Sequence, residues 1–356
     1  MRPTLERLPM THILLAGDHF VTPQHLRSAI EAQCSAAGPI QFSELMLPWP
    51  LEPFGPVDSV LEASGSTDDV IAAIGDASVV VTQMAPMTAE VFAAVPSVKL
   101  VCAGRGGPVN VDLQAATKAG VIVSFAPGRN AQAAAEFALG LMLAAARRIT
   151  SSDAELHRGI WRGDYYTYES AGVEISGSTV GLVGYGAIGT IIAKALIALG
   201  ATVIAADPYA DADRMRVDGV EPVDIDDLVE RSDIVSLHAR LTPESHHIID
   251  ARRLGMMKRG ALLVNSARGG LLDYAPLAPM LASGALGALA LDVYDIEPPP
   301  PGWPLLSAPN VVMTSHLGGA TRETALRAAS IMADEIRRFL AGKLPQFVAN
   351  KEVLRR

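Results

Sequence analysis

Three ionisable side chains stand just beyond short apolar runs in the second half of the chain. Arg268 follows Val264-Asn-Ser-Ala, Glu297 sits in Asp292-Val-Tyr-Asp-Ile-Glu-Pro, and His316 follows Met313-Thr-Ser. Together they hold what hydride exchange with a 2-keto acid requires. A guanidinium fork can grip a carboxylate and polarise the carbonyl beside it. An imidazole can give a proton to the oxygen as hydride reaches the carbon, and recover it in the reverse direction. A carboxylate on the far ring nitrogen fixes the imidazole and favours its charged form. Taken singly, each residue has a plainer reading: Arg268 as a salt bridge, Glu297 as a solvated turn, His316 as a helix cap.

Such chemistry needs a hydride carrier, and one segment is suited to hold it. Val180-Gly-Leu-Val-Gly184-Tyr-Gly186-Ala-Ile-Gly189 reads as a hydrophobic strand running through a glycine turn into a helix, and a second strand ends at Asp207. Gly184 permits the tight turn, Gly186 lets the backbone approach a pyrophosphate, and Gly189 lets helix and sheet pack closely. The phosphates would rest on amides at the helix N-terminus. A GxGxxG pattern alone is weak in a chain with 31 glycines; flanking strands and the acidic residue give it weight. Asp207 can accept both ribose hydroxyls of NAD and would repel the 2′-phosphate of NADP. The nearest basic residue after it is Arg214, and no arginine cluster follows. Asp207 could equally cap the next turn.

These positions demand a sheet whose strands end along one edge. Apolar runs at 12–16, 78–82, 98–102 and 121–124 read as buried strands of a first α/β sheet, with a helix from Thr22, an N-cap followed by Pro23. Residues 48–58 hold four prolines and read as an irregular connection. A long helix apolar on nearly every face, from Ala131 to about Ser151, separates this series from a second: 179–183, 202–206, 233–238, 261–265, 287–291 and 311–314. The expected fold class is α/β, with two Rossmann-like doubly wound parallel-sheet domains. A final helix runs from Thr321 to about Leu340, with Thr324 where Glu or Gln would complete a capping box.

Composition narrows the classes. The chain has 356 residues, 49% of them apolar, enough for two domains with real cores. A net charge of −9 with scattered basic residues argues against a nucleic-acid surface. The longest nonpolar run, Phe137 to Ala146, is ten residues, short of the roughly 20 that span a bilayer. No secretory core follows the first residues. Cys34 and Cys102 have no metal-ligand spacing and read as buried thiols in a reducing compartment. The expectation is a cytoplasmic protein with no membrane or nucleic-acid partner and no metal.

Beyond these readings, the chain from about Val98 to Glu323 resembles the D-isomer-specific 2-hydroxyacid dehydrogenases. Four motifs carry the resemblance: Gly184-Tyr-Gly-Ala-Ile-Gly, Leu262-Leu-Val-Asn-Ser-Ala-Arg-Gly, Leu291-Asp-Val-Tyr-Asp-Ile-Glu-Pro and Ser315-His-Leu-Gly-Gly. The resemblance implies NAD-dependent interconversion of a D-2-hydroxy acid and its 2-keto acid, with Arg268, Glu297 and His316 as the catalytic arginine, glutamate and histidine. It implies cofactor contacts at Gly184, Gly186, Ala187, Ile188, Gly189, Asp207, His238, Ala267, Asp292, His316 and Gly318, with Asp292 on the nicotinamide carboxamide. Substrate binding falls to Gly104, Arg105, Gly106 and Arg268. The architecture implied is a flavodoxin-like catalytic domain over 1–125 and 317–356, interrupted by a Rossmann NAD-binding domain over 126–316. A homodimer joined mainly through the cofactor domain and the helix at Ala131–Arg148 is implied as well.

Four departures from the family pattern bear on specificity. Arg105 stands in the turn expected to hold the substrate carboxylate; pointing inward it would suit a dicarboxylate, a phosphate or a sugar acid, and pointing outward it is a surface arginine. Arg240 and Ser315 stand where prolines are common, the second suggesting a less rigid loop before His316. Ala187 replaces an arginine often seen in the glycine turn. Formate dehydrogenases carry glutamine where Glu297 stands, which argues against that activity; phosphite dehydrogenases keep the Glu–His pair and stay open as an alternative. The L-lactate and malate dehydrogenases place their cofactor domain first, unlike a glycine turn at Gly184. The rival from another class is an NAD-dependent corepressor or scaffold of the same fold.

Overall fold

Unbroken apolar runs build strands buried on both faces, and these organise both halves of the chain. The structure, a computed structural model, describes residues 10–36 and 38–355. It falls into two compact units, one formed by residues up to 130 and from 320 onward, the other by Ala131–Gly319.

In the first unit the strands are β1 (Thr11–Gly17), β2 (Ile40–Met46), β3 (Gly55–Val57), β4 (Val60–Ala63), β5 (Val79–Thr82), β6 (Leu100–Ala103) and β7 (Ile122–Phe125). Helices α1 (Pro23–Gln33), α2 (Thr67–Ile74), α3 (Ala89–Ala94) and α4 (Leu113–Lys118) lie between them. Five parallel strands pair in the order β2-β1-β5-β6-β7. Strands β5 and β6 are buried at every residue, as a two-sided parallel sheet requires. Thr22 caps α1 with a full capping box, its hydroxyl accepting from the His25 amide while the His25 ring accepts from the Thr22 amide.

Three strands here, β2, β3 and β4, were not legible from sequence. β2 alternates between exposed and half-buried residues at the sheet edge, so no apolar run marks it. Part of the proline-rich 48–58 stretch, read as irregular, is β3, which pairs antiparallel with β4.

The second unit opens with α5 (Ala131–Ala146) and α6 (Ile149–His157), and continues through β8 (Thr179–Val183), α7 (Ala187–Ala198), β9 (Thr202–Ala206) and α8 (Ala212–Val217). β10 (Glu221–Pro222), α9 (Ile225–Arg231), β11 (Ile234–Leu237), α10 (Ala251–Met256), β12 (Ala261–Asn265), α11 (Leu277–Ala282), β13 (Leu286–Leu291) and β14 (Val311–Met313) complete it. The seven strands are parallel, in the order β10-β9-β8-β11-β12-β13-β14, the doubly wound arrangement. One face is covered by α5 and α7, with Met142, Ile192 and Leu196 in the core; the other packs Leu254, Leu277 and Leu281.

The single helix expected from Ala131 to about Ser151 is two helices. Arg148 adopts φ 54, which ends the α-helical path between α5 and α6. Its guanidinium reaches out of the break to the Ser170 carbonyl at 2.8 Å and to Asn310. The apolar face of α5 is explained within this unit, since it packs on α7, β12 and β13.

The last helix, α12 (Arg322–Leu340), belongs to the first unit, where Met332 and Ile336 pack under β1 and β5. Thr321 caps it through the Thr324 amide at 3.1 Å. The division between the units lies a few residues later than 125/126 and 316/317. Ala126 donates to the Arg105 carbonyl and Arg327 to the Arg129 carbonyl, which ties 126–130 to the first unit. Gly318 donates to Asp292, which keeps 317–319 with the second.

Candidate active site

Parallel strands deliver whatever follows their C-terminal ends to one edge, and in open α/β sheets that edge is where ligands bind. In the second unit Gly184 follows β8, Asp207 follows β9, His238 follows β11, Arg268 lies three residues past β12, Asp292 follows β13 and His316 lies three residues past β14. These six residues, all expected from sequence to serve chemistry or cofactor, therefore share one edge.

At its centre, His316 Nδ1 and Glu297 Oε2 are 2.8 Å apart. The other glutamate oxygen, Oε1, accepts the Tyr294 amide at 3.1 Å, so the carboxylate is held at both ends. Burial alone would push the Glu297 carboxyl upward. The His316 hydrogen bond and charge, the Tyr294 amide and the charge of Arg268 outweigh it and hold the group below the usual glutamate range. With Nδ1 occupied, Nε2 is the ring nitrogen left to exchange a proton. His316 sits at φ 56, a conformation that costs a non-glycine residue about 1–3 kcal/mol unless its surroundings impose it.

Those surroundings are built on Asp292, which is 1% exposed. Its Oδ1 accepts the Thr314 hydroxyl at 2.6 Å and the Leu317 amide at 2.8 Å, and its Oδ2 accepts the Gly318 amide at 2.8 Å. Tyr294 adds a hydrogen bond from its hydroxyl to the Thr314 carbonyl at 2.7 Å. The residue expected to meet the nicotinamide is thus also the anchor of the histidine loop. Gly318 has little room for a side chain, since a Cβ there would come 3.0 Å from Asp292 Oδ2.

Arg268 is exposed and carried by a loop pinned from within. Asn265 donates through Nδ2 to the Arg268 carbonyl at 2.9 Å and accepts the Ala267 amide at 3.1 Å. A Cβ on Gly269 would collide with the Tyr294 backbone, so this loop lies directly against the glutamate segment. Asn265, Tyr294 and Thr314 were not singled out from sequence. Asn265 and Tyr294 stand inside the motifs, and Thr314 two residues before the histidine, but nothing in the sequence separates a loop anchor from its neighbours.

The nucleotide turn has the expected form. Gly184 adopts φ 102 against the backbone of His238 and Ala239. A Cβ on Gly189 would strike the Gly184 carbonyl oxygen, whereas the space beyond Gly186 is open. Gly186 is the N-cap of α7 and offers no side chain, so the first amides of Ala187, Ile188 and Gly189 have no capping acceptor. A dinucleotide pyrophosphate fits such a terminus. Asp207 accepts the Tyr185 amide at 2.8 Å through Oδ2 and the Tyr209 amide at 2.9 Å through Oδ1, so it organises the turn. His238 bonds Ser236 at 2.8 Å, and burial pushes its imidazole down to about 4.

The remaining expected residues lie in the first unit. Gly104 follows β6, donates to the Thr82 carbonyl at 2.7 Å and lies against the end of the Met332 side chain, which would have to shift for a Cβ. Gly106 has open space around it. The Arg105 side chain, 13% exposed, is ion-paired with Glu62 and contacts Met84 Sδ at 2.9 Å. It is not a surface arginine, and its charge already meets a carboxylate.

Among the described residues no group of His, Cys, Asp and Glu could hold a metal, and no helix is long and apolar enough to cross a membrane. Residues 139–318 match the NAD binding domain of the D-isomer specific 2-hydroxyacid dehydrogenases. The chain is 42% identical over 266 residues to the D-3-phosphoglycerate dehydrogenase of Mycobacterium tuberculosis, covering 75% of this chain and 49% of that protein. It is 37% identical over 270 residues to the glyoxylate reductase of Korarchaeum cryptofilum, covering 76% of this chain and 81% of that one. The chain thus spans about half the length of the mycobacterial relatives it matches. The crystal structure of Rhodotorula graminis D-mandelate dehydrogenase superposes with a TM-score of 0.79 at 26% identity, covering 97% of this chain and 99% of that one. The chain belongs to the D-isomer specific 2-hydroxyacid dehydrogenase family, and its second unit is the family's NAD-binding domain.

Proposed function

We propose that the protein interconverts a D-2-hydroxy acid and the corresponding 2-oxo acid with NAD(H). The observation that carries this reading is the His316–Glu297 pair at 2.8 Å with Arg268 close enough to influence the same carboxylate. When bound, NAD supplies the hydride acceptor, or its reduced form the donor. The protein's own part is to hold the acid and move the proton. Arg268 grips the carboxylate next to the reacting carbon. His316 gives a proton from Nε2 to the carbonyl oxygen, or takes it from the hydroxyl in the oxidative direction. Glu297 holds Nδ1 and the charge that the ring acquires.

The reading extends to setting and assembly. Two buried free thiols, Cys34 and Cys102, suit a reducing cytoplasm. A homodimer is supported by large exposed side chains concentrated between 143 and 168: Leu143, Leu156, Trp161, Tyr166 and Tyr168, with the last three 83%, 95% and 94% exposed.

The test is NADH oxidation against glyoxylate, hydroxypyruvate, pyruvate, 2-oxoglutarate and phosphohydroxypyruvate, with NADPH in parallel. Turnover that prefers NADH and is lost in Arg268→Ala supports the proposal. Tight NADH binding with no turnover on any acid points to phosphite as the substrate or to the corepressor class.

A further inference from the structure

In the second unit, one carboxylate ties the glycine turn to the helix after β9. Tyr185, buried between Gly184 and Gly186, donates its backbone amide to Asp207 at 2.8 Å and its hydroxyl to Asp218 Oδ2 at 3.2 Å. Asp218 is the C-cap of α8, and the same oxygen accepts Arg214 Nε at 3.1 Å. The Arg214 hydrogen bond holds the Asp218 carboxyl below the usual aspartate range, with the Tyr185 hydroxyl and the charge of Lys194 on α7 acting in the same direction.

Arg214 is the first basic residue after Asp207, so its placement bears on what the nucleotide end accepts. The Ala210 amide closes a turn on the Asp207 carbonyl at 3.4 Å and Asp211 caps α8, which puts Arg214 in the first helical turn beyond the Asp207 segment. Its guanidinium is nonetheless committed elsewhere. Among the described residues Arg214 pairs with Asp218, while both Asp207 oxygens accept backbone amides. A pair between two mobile surface side chains holds an arginine weakly. Here only the arginine is exposed, at 64% against 10% for the carboxylate, and Tyr185 fixes the carboxylate in place. With one partner already ordered, less freedom is lost in holding the other.

We infer that Asp218 is a positioning residue for cofactor choice. By keeping Arg214 on itself, it withholds a cation from the 2′-phosphate of NADP. Rejection of NADP then has two parts: Asp207 repels the phosphate, and Asp218 removes the counter-charge that would receive it. The inference rests on Asp207 as the proposed ribose acceptor and is independent of which acid is reduced.

The experiment measures the affinities of NADH and NADPH by fluorescence titration of the full-length protein, without an acid substrate. Wild type is compared with Asp207→Ser, with Asp207→Ser/Asp218→Asn, and with that double variant carrying Arg214→Ala. Asparagine at 218 keeps an acceptor for the Tyr185 hydroxyl and gives up the charge that holds Arg214. Asp207→Ser should move the affinity ratio toward NADPH, Asp218→Asn should move it about tenfold further, and Arg214→Ala should cancel that second step. A loosened glycine turn weakens both cofactors by one factor and leaves the ratio alone. A second step that does not move the ratio, or one that survives Arg214→Ala, therefore overturns the inference. A wild type that binds no NADH, or a ratio unmoved by Asp207→Ser, overturns the ribose placement and the inference with it.

Discussion

Glu297 meets His316 with one carboxylate oxygen and the backbone amide of Tyr294 with the other, at 2.8 and 3.1 Å. The glutamate is therefore a bridge between its own loop and the histidine loop. Glu297→Gln keeps the shape of that bridge and removes its charge. The expected outcome is a loss of about 100-fold in kcat with NADH affinity little changed, read by stopped-flow turnover and by fluorescence titration. The pH dependence has a definite sign. Glu297 is held below the usual glutamate range, so its support of the site is present above that range and is lost as pH falls through the depressed value. The acid limb assigned to it should vanish in the glutamine variant; a limb that persists belongs to another group.

Asp207 serves two masters, the turn amides of Tyr185 and Tyr209 and the proposed ribose. Asp207→Ser should lower kcat/KM for NADH about 10- to 100-fold while raising the NADPH-to-NADH ratio. An unchanged cofactor ratio would mean that the carboxylate is only a turn residue.

Asp18 couples stability to pH. Burial pushes its carboxyl from 3.8 up to about 6. A group raised in the folded state stabilises below its unfolded value and loses that contribution as pH rises through the folded one. The displacement corresponds to about 3 kcal/mol at most. Asp18→Asn, which retains an oxygen for the Phe20 and Val21 amides, should therefore gain thermal stability relative to wild type between about pH 4 and 7. A melting-temperature difference that is flat with pH would contradict this.

The exposed aromatic segment offers a test of assembly. Trp161→Glu combined with Tyr168→Glu should convert a dimer to monomer in sedimentation velocity, since charge in the core of an interface is strongly disfavoured. A monomeric wild type, or a dimer that survives both changes, would exclude this face.

Much of the fold was legible because buried parallel strands write themselves as mostly apolar runs: 78–82, 98–102 and 261–265 each overlap a strand. The edge strand β2 and the β3–β4 hairpin were not, because half-exposed strands carry no such run. Helix α5 was extended too far, since a left-handed residue at Arg148 leaves no trace in hydropathy. At the site, Arg268, Glu297 and His316 announced themselves as titratable groups beyond strand ends. The residues that hold them did not. Asn265 and Thr314 act through hydrogen bonds whose partners only the folded backbone brings near.

The anchoring of the histidine loop has an evolutionary corollary. Ser315 occupies a position where the family pattern favours proline, and a stiff ring there would restrict the backbone before the histidine. Here Asp292 binds the residues on either side, Thr314, Leu317 and Gly318, leaving Ser315 and His316 as a short span fixed at both ends. Position 315 is thereby released from a mechanical duty. It can drift among small residues, or be conscripted for recognition, without disturbing the imidazole next to it.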